Sequence, residues 1–195
     1  MIFMKLYLIR HGESENNKTG CYTGWTDANL TEKGIEDAKG VRKYIADVKF
    51  DKIYSSDLSR AKTTAETAIP GCTYEETPLI RELNLGELEG KEIALCPEIF
   101  GEEFLKNRSE TNYKPYGGEN DAELVSRIEA FLDMVANSGY ETVAAFSHGG
   151  FLRRSADHVL GIKLPRGNMP CRNCAIEILE YTDGKWYLHS WINTK

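Results

Sequence analysis

Short apolar runs alternate with stretches of helical spacing along the whole chain of 195 residues. An apolar run of four to eight residues is typical of a buried strand, and apolar residues three or four positions apart indicate a helix packed on a sheet. This alternation favours an α/β fold with a mainly parallel central sheet in one domain, residues 1–195. The predicted strands are 5–9, 52–55, a weak one from Tyr74, 142–146, 175–181 and 186–191. The predicted helices are 29–47 with Thr31 as N-cap, a second from Ser56 or Asp57 to about Ala68, 120–136 and 149–160.

Residues 86–118 break this alternation, because glycines and prolines recur through them. Such residues interrupt regular elements. We expect a lid-like excursion at about 86–118, with one short helix near 98–106.

The charge and hydropathy of the chain exclude several functions. A net charge of −6 and a pI near 5.4 disfavour nucleic-acid binding. No apolar stretch approaches the length of a membrane-spanning helix, so no membrane partner is expected. The apolar N-terminal run lacks the basic region and cleavage site of a signal peptide, and we therefore predict a cytoplasmic protein. The oligomeric state stays open.

The five cysteines do not indicate a disulfide framework, because their number is odd. Cys171 and Cys174 form a lone C-x-x-C, and no two further ligands lie nearby to complete a zinc site. We expect Cys174 to be a structural cysteine in the strand that follows. The motif residues show no metal-ligand spacing, so the sequence predicts no metal.

Two histidines and two arginines follow the ends of three of the predicted strands. Arg10 and His11 follow the first, Arg60 comes shortly after the second, and His148 follows the run 142–146. In open α/β sheets, ligands bind beyond the carboxyl ends of the strands. A neutral imidazole can attack phosphorus, and a guanidinium matches phosphate oxygens with a planar fork of donors. Each motif alone is more often a turn or a capping pair, but together they predict a phosphoryl-transfer site.

The motifs that carry this chemistry resemble those of the histidine phosphatase superfamily, which includes the cofactor-dependent phosphoglycerate mutases. The likeness covers nearly the whole chain, with its motifs in the family's order. The resembling segments are 8–14 with Asn17, 22–34, 55–65, 81–90 and 147–150. The resemblance implies a three-layer α/β/α sandwich of the phosphoglycerate mutase type and no cofactor.

The resemblance also implies a role for each site residue. His11 would be the nucleophile, and Glu82 the general acid and then the general base. The residues implied to hold the phosphoryl group or the substrate are Arg10, Arg60, His148, Asn17, Thr23, Gly24 and Gly149. Arg81 would shape the leaving-group side, although a solvated surface position is equally compatible with its sequence.

Hydrolysis and isomerisation remain alternatives within this family. The loop Gly24–Asp27 favours a mutase. A short spacing between Glu82 and His148, a single lid arginine (Arg108) and the Gly149–Gly150 pair favour a phosphatase acting on a small phosphomonoester. We favour the phosphatase, with a 2,3-bisphosphoglycerate-dependent phosphoglycerate mutase as the alternative. A non-catalytic phosphate-binding or scaffold protein is the third hypothesis, disfavoured because all the implied catalytic residues are present.

Overall fold

A computed structural model describes residues 3–164 and 168–194, and these form a six-stranded sheet with helices on both faces. The strands are β1 (Phe3–Arg10), β2 (Lys52–Ser55), β3 (Glu75–Glu76), β4 (Thr142–Ser147), β5 (Ile176–Thr182) and β6 (Lys185–Ile192). The helices are α1 (Glu15–Thr19), α2 (Glu32–Ile45), α3 (Ser59–Ala68), α4 (Cys96–Phe100), α5 (Glu102–Glu110), α6 (Asp121–Ala136) and α7 (Gly149–Leu160). The α/β architecture expected from the sequence is therefore confirmed.

The strand order is β3-β2-β4-β1-β5-β6. The first four strands in this order are parallel, whereas β5 and β6 are antiparallel additions beside β1. Since β2, β4 and β1 are neighbours with the same direction, their carboxyl ends lie together at one edge. The three strand-end motifs are brought together in this way.

Alternation along the strands divides the core into two layers. In β1, Leu6 and Leu8 pack with α6, α7 and the 86–118 segment, whereas Ile9 packs with α2 and α3 on the opposite face. Side chains of a strand alternate between the two faces of a sheet, so one strand serves both layers. The result is the predicted three-layer sandwich.

The segment 86–118 is packed rather than loosely attached. It contains α4, α5 and two short 3-10 turns, Gly86–Leu88 and Lys114–Tyr116. The side chains of Phe104 and Tyr113 are fully buried. The single helix expected at 98–106 is instead two helices, because Gly101 has a φ of +73° and interrupts the chain between them.

Two local predictions were wrong. Neither Ser56 nor Asp57 caps α3; its N-cap position is Leu58, and the Asp27 carboxylate accepts from the Ser59 backbone N–H at 2.8 Å instead. Cys174 is not in a strand, since it precedes β5 with a left-handed φ of 61°. The short helix α1 was not anticipated, because five polar residues show no helical periodicity.

Within residues 3–164 and 168–194, no helix is both long and apolar enough to cross a membrane.

The first turn of α2 packs backbone against backbone on the loop that follows β1. A Cβ built on Gly34 would lie 2.1 Å from the carbonyl oxygen of Glu13, and one on Gly12 would lie 2.3 Å from that of Gly34. Both distances are far below van der Waals contact, and backbone atoms cannot move aside as a flexible side chain can. Glycine at these two positions therefore brings α2 into direct contact with the loop that carries His11.

The close contact at Gly34 predicts that a larger residue there lowers the stability of the protein. A second glycine in the same helix, Gly40, provides the control. Gly34→Ala should cost about 1–3 kcal/mol of unfolding free energy, as expected for overpacking. Gly40→Ala, in the same helix with nothing within 4 Å of the added Cβ, should gain roughly 0.5–1 kcal/mol. Urea denaturation of both variants measures the difference, and equal effects would contradict the packing argument.

Candidate active site

A cleft of about 230 Å³ lies beyond the carboxyl ends of β1 and β2, and we call it the histidine cleft. The sequence suggested ten site residues, and seven of them line this cleft together with residues of the 86–118 segment. Those seven are Arg10, His11, Asn17, Thr23, Gly24, Arg60 and Glu82.

His11 is oriented by a hydrogen bond to its own neighbour. Its Nδ1 lies 2.6 Å from the carbonyl oxygen of Gly12, which can only accept, so Nδ1 carries the proton. The second ring nitrogen, Nε2, consequently keeps its lone pair. Burial lowers the pKa of the His11 imidazole well below its ordinary value, and the charges of Arg60 and Arg10 lower it further. The ring is therefore neutral at physiological pH, with a free lone pair on Nε2.

The backbone of His11 is held on both sides. Its N–H donates to Ser147 O at 3.0 Å, and its carbonyl accepts from the Cys174 N–H at 3.2 Å. The Asn173 side-chain amide donates to the carbonyls of His11 and Gly12, at 3.2 and 3.1 Å. Sequence reasoning missed Asn173, because attention in that segment went to the two cysteines and a lone asparagine before a strand carries no periodic signal.

Arg60 is fully buried and Arg10 is half-buried, and neither cation has a salt bridge to a carboxylate within the described residues. Arg60 donates to the carbonyls of Gly24 and Thr26, at 2.7 and 2.9 Å, and Arg10 donates to the carbonyl of Cys171. Burial lowers the pKa of Arg60 to about 10 and lowers that of Arg10, while the carboxylate of Glu82 opposes both shifts. Both guanidiniums stay charged at neutral pH, and each has an Nε donor with no partner within the described residues.

His148 lies behind the nucleophile, and the centroids of the two imidazole rings are 5.2 Å apart. Its Nε2 contacts Ser56 Oγ at 2.9 Å, and its buried Nδ1 has no partner within the described residues. Burial lowers the pKa of His148 well below its ordinary value, with Arg60 as the next cause. In the tautomer where Ser56 donates to Nε2, the free Nδ1–H is a donor for an anionic oxygen.

Glu82 faces the cleft from the loop that follows a 3-10 turn at Pro78–Ile80. Its two carboxylate oxygens accept from the backbone N–H groups of Leu83 and Gly150, at 2.9 and 3.0 Å. A Cβ on Gly150 would lie 2.1 Å from the Glu82 carboxylate, so a larger residue there would displace the carboxylate from this position. The carboxylate is thereby fixed near the two guanidiniums.

The loop that contains Thr23 and Gly24 is tied down by an acidic residue that the sequence did not single out. Glu89 accepts from the backbone N–H groups of Trp25 and Thr26, at 2.8 and 2.7 Å, and from that of Leu85 at 3.1 Å. Because the same loop supplies the carbonyls that bind Arg60, Glu89 supports that cation indirectly. Glu89 was indistinguishable by sequence from other acidic residues near Glu82.

Asn17 is oriented from two sides. Its side-chain oxygen accepts from the Asn173 amide at 3.0 Å and from the Ser14 backbone N–H at 3.3 Å. The oxygen is therefore occupied, and the NH₂ group is what Asn17 offers to a ligand.

Gly149 and Arg81 do not line the histidine cleft. Gly149 begins α7, where an added Cβ would lie 3.0 Å from Arg10 Nε, so it lies against the guanidinium. Arg81 lies outside, where both ends of its fork bind the Asp57 carboxylate at 2.7 and 2.5 Å and its guanidinium stacks on Trp25. This position does not support a direct contact between Arg81 and substrate.

Within residues 3–164 and 168–194, no group of three or more histidine, cysteine or acidic side chains could hold a metal ion.

Comparison with known proteins adds to this geometry. The family model of the histidine phosphatase superfamily (branch 1) matches residues 6–194. The chain is similar to a protein of Proteus mirabilis named probable phosphoglycerate mutase GpmB, with 31% identity over 97% of this chain and 90% of the relative.

Two solved structures are also similar. A mutant phosphoserine phosphatase from Entamoeba histolytica, in complex with phosphoserine, superimposes with a TM-score of 0.82 and 28% identity over 98% of each chain. The alpha-ribazole phosphatase from Shigella flexneri superimposes with a TM-score of 0.85 at 23% identity, over 98% of this chain and 97% of that one, and shows the shared fold. The chain belongs to the histidine phosphatase superfamily, whose enzymes are of phosphatase or mutase type.

Proposed function

We propose that the protein is a phosphomonoester hydrolase that acts on a small phosphorylated metabolite through a phosphohistidine intermediate on His11. The observation that carries this proposal is the Nδ1–H bond of His11 to the Gly12 carbonyl. This bond leaves the lone pair of Nε2 free in a cleft that is also lined by the buried Arg60 and the half-buried Arg10. Relatives named for phosphoserine and α-ribazole support a small phosphomonoester as the class of substrate.

In the first step, the His11 Nε2 lone pair attacks phosphorus and the bond to the leaving oxygen breaks. Arg10 and Arg60 neutralise the charge on the phosphoryl oxygens, which is the main demand of this chemistry. Glu82, which binds a proton in the enzyme–substrate complex, gives that proton to the leaving oxygen. The alcohol departs, and the phosphoryl group stays on Nε2.

In the second step, Glu82 has become a carboxylate and accepts a proton from water. The hydroxide that forms attacks phosphorus, the P–N bond breaks, and its electron pair returns to Nε2. Inorganic phosphate leaves, and Glu82 is again protonated. The same residue thus serves as general acid in the first step and as general base in the second.

Access for water supports hydrolysis over isomerisation. The histidine cleft shares Leu83, Gly150 and Arg153 with a second cavity of about 320 Å³, next to the amide that binds Glu82. A mutase must exclude water from its phosphohistidine and return the group to a second hydroxyl. A site with this much open space near its acid/base is better suited to a hydrolase.

Phosphoglycerate mutase is the second candidate, favoured by one specific observation. The curated relatives with about 31% identity are named probable phosphoglycerate mutases.

The reaction type can be decided with 3-phosphoglycerate and a panel of phosphomonoesters, with and without 2,3-bisphosphoglycerate, in excess EDTA. Free phosphate and 2-phosphoglycerate are followed together, and His11→Ala is the negative control. We expect release of phosphate without isomerisation, and we expect the same activity with and without EDTA. Rapid isomerisation that depends on the bisphosphate would instead establish the mutase.

The role of Glu82 predicts a leaving-group effect. Glu82→Gln should lower kcat for an alkyl phosphate by about 10²–10⁴-fold, the usual contribution of a general acid. An aryl phosphate needs no proton on its leaving group, so this variant should give a burst of phenol and accumulate phosphohistidine. Glu87→Gln, an exposed neighbour, is the matched control. Unchanged turnover in Glu82→Gln would remove Glu82 from the mechanism.

The protonation state of His11 can be observed directly. Because its pKa is lowered, the ring should remain neutral at pH 6, below the ordinary histidine value of about 6.5. Nitrogen-15 NMR should show Nδ1 protonated and Nε2 bare, with the signal assigned by its loss in His11→Ala. The urea-unfolded protein, in which the ring gains a proton at this pH, is the control. An imidazolium signal from folded His11 at pH 6 would contradict this assignment.

A further inference from the structure

The loop that carries Glu82 has no regular secondary structure, since residues 81–85 form neither a helix nor a strand. The backbone groups of such a segment find their partners among side chains and water, so its conformation depends on those partners. The Ser147 hydroxyl donates to the Ile80 carbonyl, and the Trp25 indole N–H donates to the Glu82 carbonyl, both at 2.7 Å. The position of Glu82 is therefore set partly by side chains that are remote in sequence.

Arg127 supplies most of these contacts. It lies in α6, which packs against the 3-10 turn that precedes Glu82. Its Nη1 donates to the carbonyls of Leu79 and Arg81 at 2.7 and 3.1 Å, and its Nη2 donates to that of Glu82 at 3.2 Å. One guanidinium thus turns three carbonyls of four consecutive residues toward itself.

Glu119 holds Arg127 in this orientation and binds the same loop. Its carboxylate accepts from Arg127 Nε and Nη2 at 2.8 and 2.9 Å, and from the Asn84 backbone N–H at 2.9 Å. The Glu119 N–H donates in turn to the Asn84 carbonyl at 2.9 Å. A guanidinium has five N–H donors, and all five of Arg127 are used in the bonds to the loop and to Glu119.

The Arg127–Glu119 pair is mostly buried, with side-chain exposures of 16% and 13%. A buried ion pair is weak evidence for stability, because the desolvation of both charges offsets their attraction. Its geometry instead favours one conformation of the loop. The Glu82 backbone is held by this pair and Trp25, and its carboxylate is held by the amides of Leu83 and Gly150, so the side chain spans two fixed points.

We propose that Arg127 and Glu119 are positioning residues that fix the carboxyl group of Glu82 for its work as general acid and base. This inference deepens the proposed function and rests on it for the role of Glu82. Neither residue lines the histidine cleft, so neither touches the transferred group. Their contribution is therefore confined to the steps in which Glu82 gives or accepts a proton.

The first test compares two kinds of leaving group. Arg127→Gln should lower kcat for an alkyl phosphate about 10- to 100-fold, because a displacement of about 1 Å can have such an effect. The rate of the nitrophenol burst from 4-nitrophenyl phosphate, which needs no general acid, should change less than about 2-fold, as should the affinity for inorganic phosphate. An equal loss for both esters would overturn the inference.

A double-mutant cycle assigns the effect to Glu82. When Arg127→Gln is added to Glu82→Gln, kcat for the alkyl phosphate should fall less than about 2-fold further, because no acid remains to be positioned. A general defect in folding or binding would lower kcat by the same factor in both backgrounds, and that result would contradict the proposal. Arg127→Lys should recover little activity, because a lysine ammonium keeps the charge but lacks the planar fork. Full activity with lysine would also contradict it.

Two further variants separate positioning from stability. Val135→Ala, in the last turn of the same helix, removes buried apolar surface and should lower the urea midpoint while the ratio of alkyl to aryl rates stays unchanged. Glu119→Gln has nearly the same shape as the native residue but weakens the bond to Arg127, and it should lower the alkyl rate selectively. It provides the test if Arg127→Gln does not fold, and an unchanged alkyl rate in Glu119→Gln would then overturn the inference.

Hydrogen exchange separates this inference from the proposed function, because it requires no activity. The Gly150 N–H donates to the Glu82 carboxylate, so Arg127→Gln should speed its exchange about 10-fold or more. The His11 N–H, which is bound to Ser147 O, is the internal control and should not change. If no phosphomonoester is hydrolysed but the Gly150 amide responds, the positioning role stands and the hydrolase proposal fails. If hydrolysis occurs and neither the exchange nor the alkyl-to-aryl ratio responds, the positioning role fails and the hydrolase stands.

Discussion

The hydrogen bond from His11 Nδ1 to the carbonyl of the next residue is the interaction on which the rest of the site depends. It fixes the tautomer, and it holds the ring against its own backbone, so the position of Nε2 follows from the position of the loop after β1. That loop is constrained in turn by β4, by the Asn173 amide and by the close backbone contact with Gly34. A nucleophile on a flexible loop would lose much of the advantage of placement, which supplies a large share of the rate in such transfers. The parallel neighbours β1 and β4 supply the rigid base.

The second constraint is electrostatic. Arg60 is buried and Arg10 is half-buried, and both donate hydrogen bonds to neutral carbonyls rather than to carboxylates. Carbonyl dipoles satisfy the N–H groups, but they do not cancel the positive charge. The desolvation of these cations costs stability, and Glu82 offsets their charge only in part, so a net positive field acts on an anion that enters the cleft. The same field lowers the pKa of both imidazoles and keeps them neutral, so one arrangement serves binding and nucleophilicity together.

The elements of the site that were predictable from sequence share a physical reason. Arg10 ends β1, while His11 and His148 directly follow β1 and β4, and in a parallel sheet the strand ends converge whatever the details of packing. Glu82 required the family resemblance, because nothing in composition separates it from nearby glutamates. Arg81 was misplaced, since only the fold reveals that Asp57 engages its guanidinium. Asn173 was missed because its role depends on two carbonyls more than 160 positions away in sequence.

The sheet and the helices contribute to the histidine cleft in different ways. The chemical groups come from the ends of buried parallel strands, where a shift of one residue would move a side chain to the other face of the sheet. Arg108 and Arg153 come instead from helices that stand above that edge, one of them in the 86–118 segment. A substitution on a helix surface changes one side chain of the cleft lining, whereas an insertion or deletion in a strand would shift its register and move the residues at its end. A chain built in this way can keep the arrangement around His11 while the side chains of these helices vary.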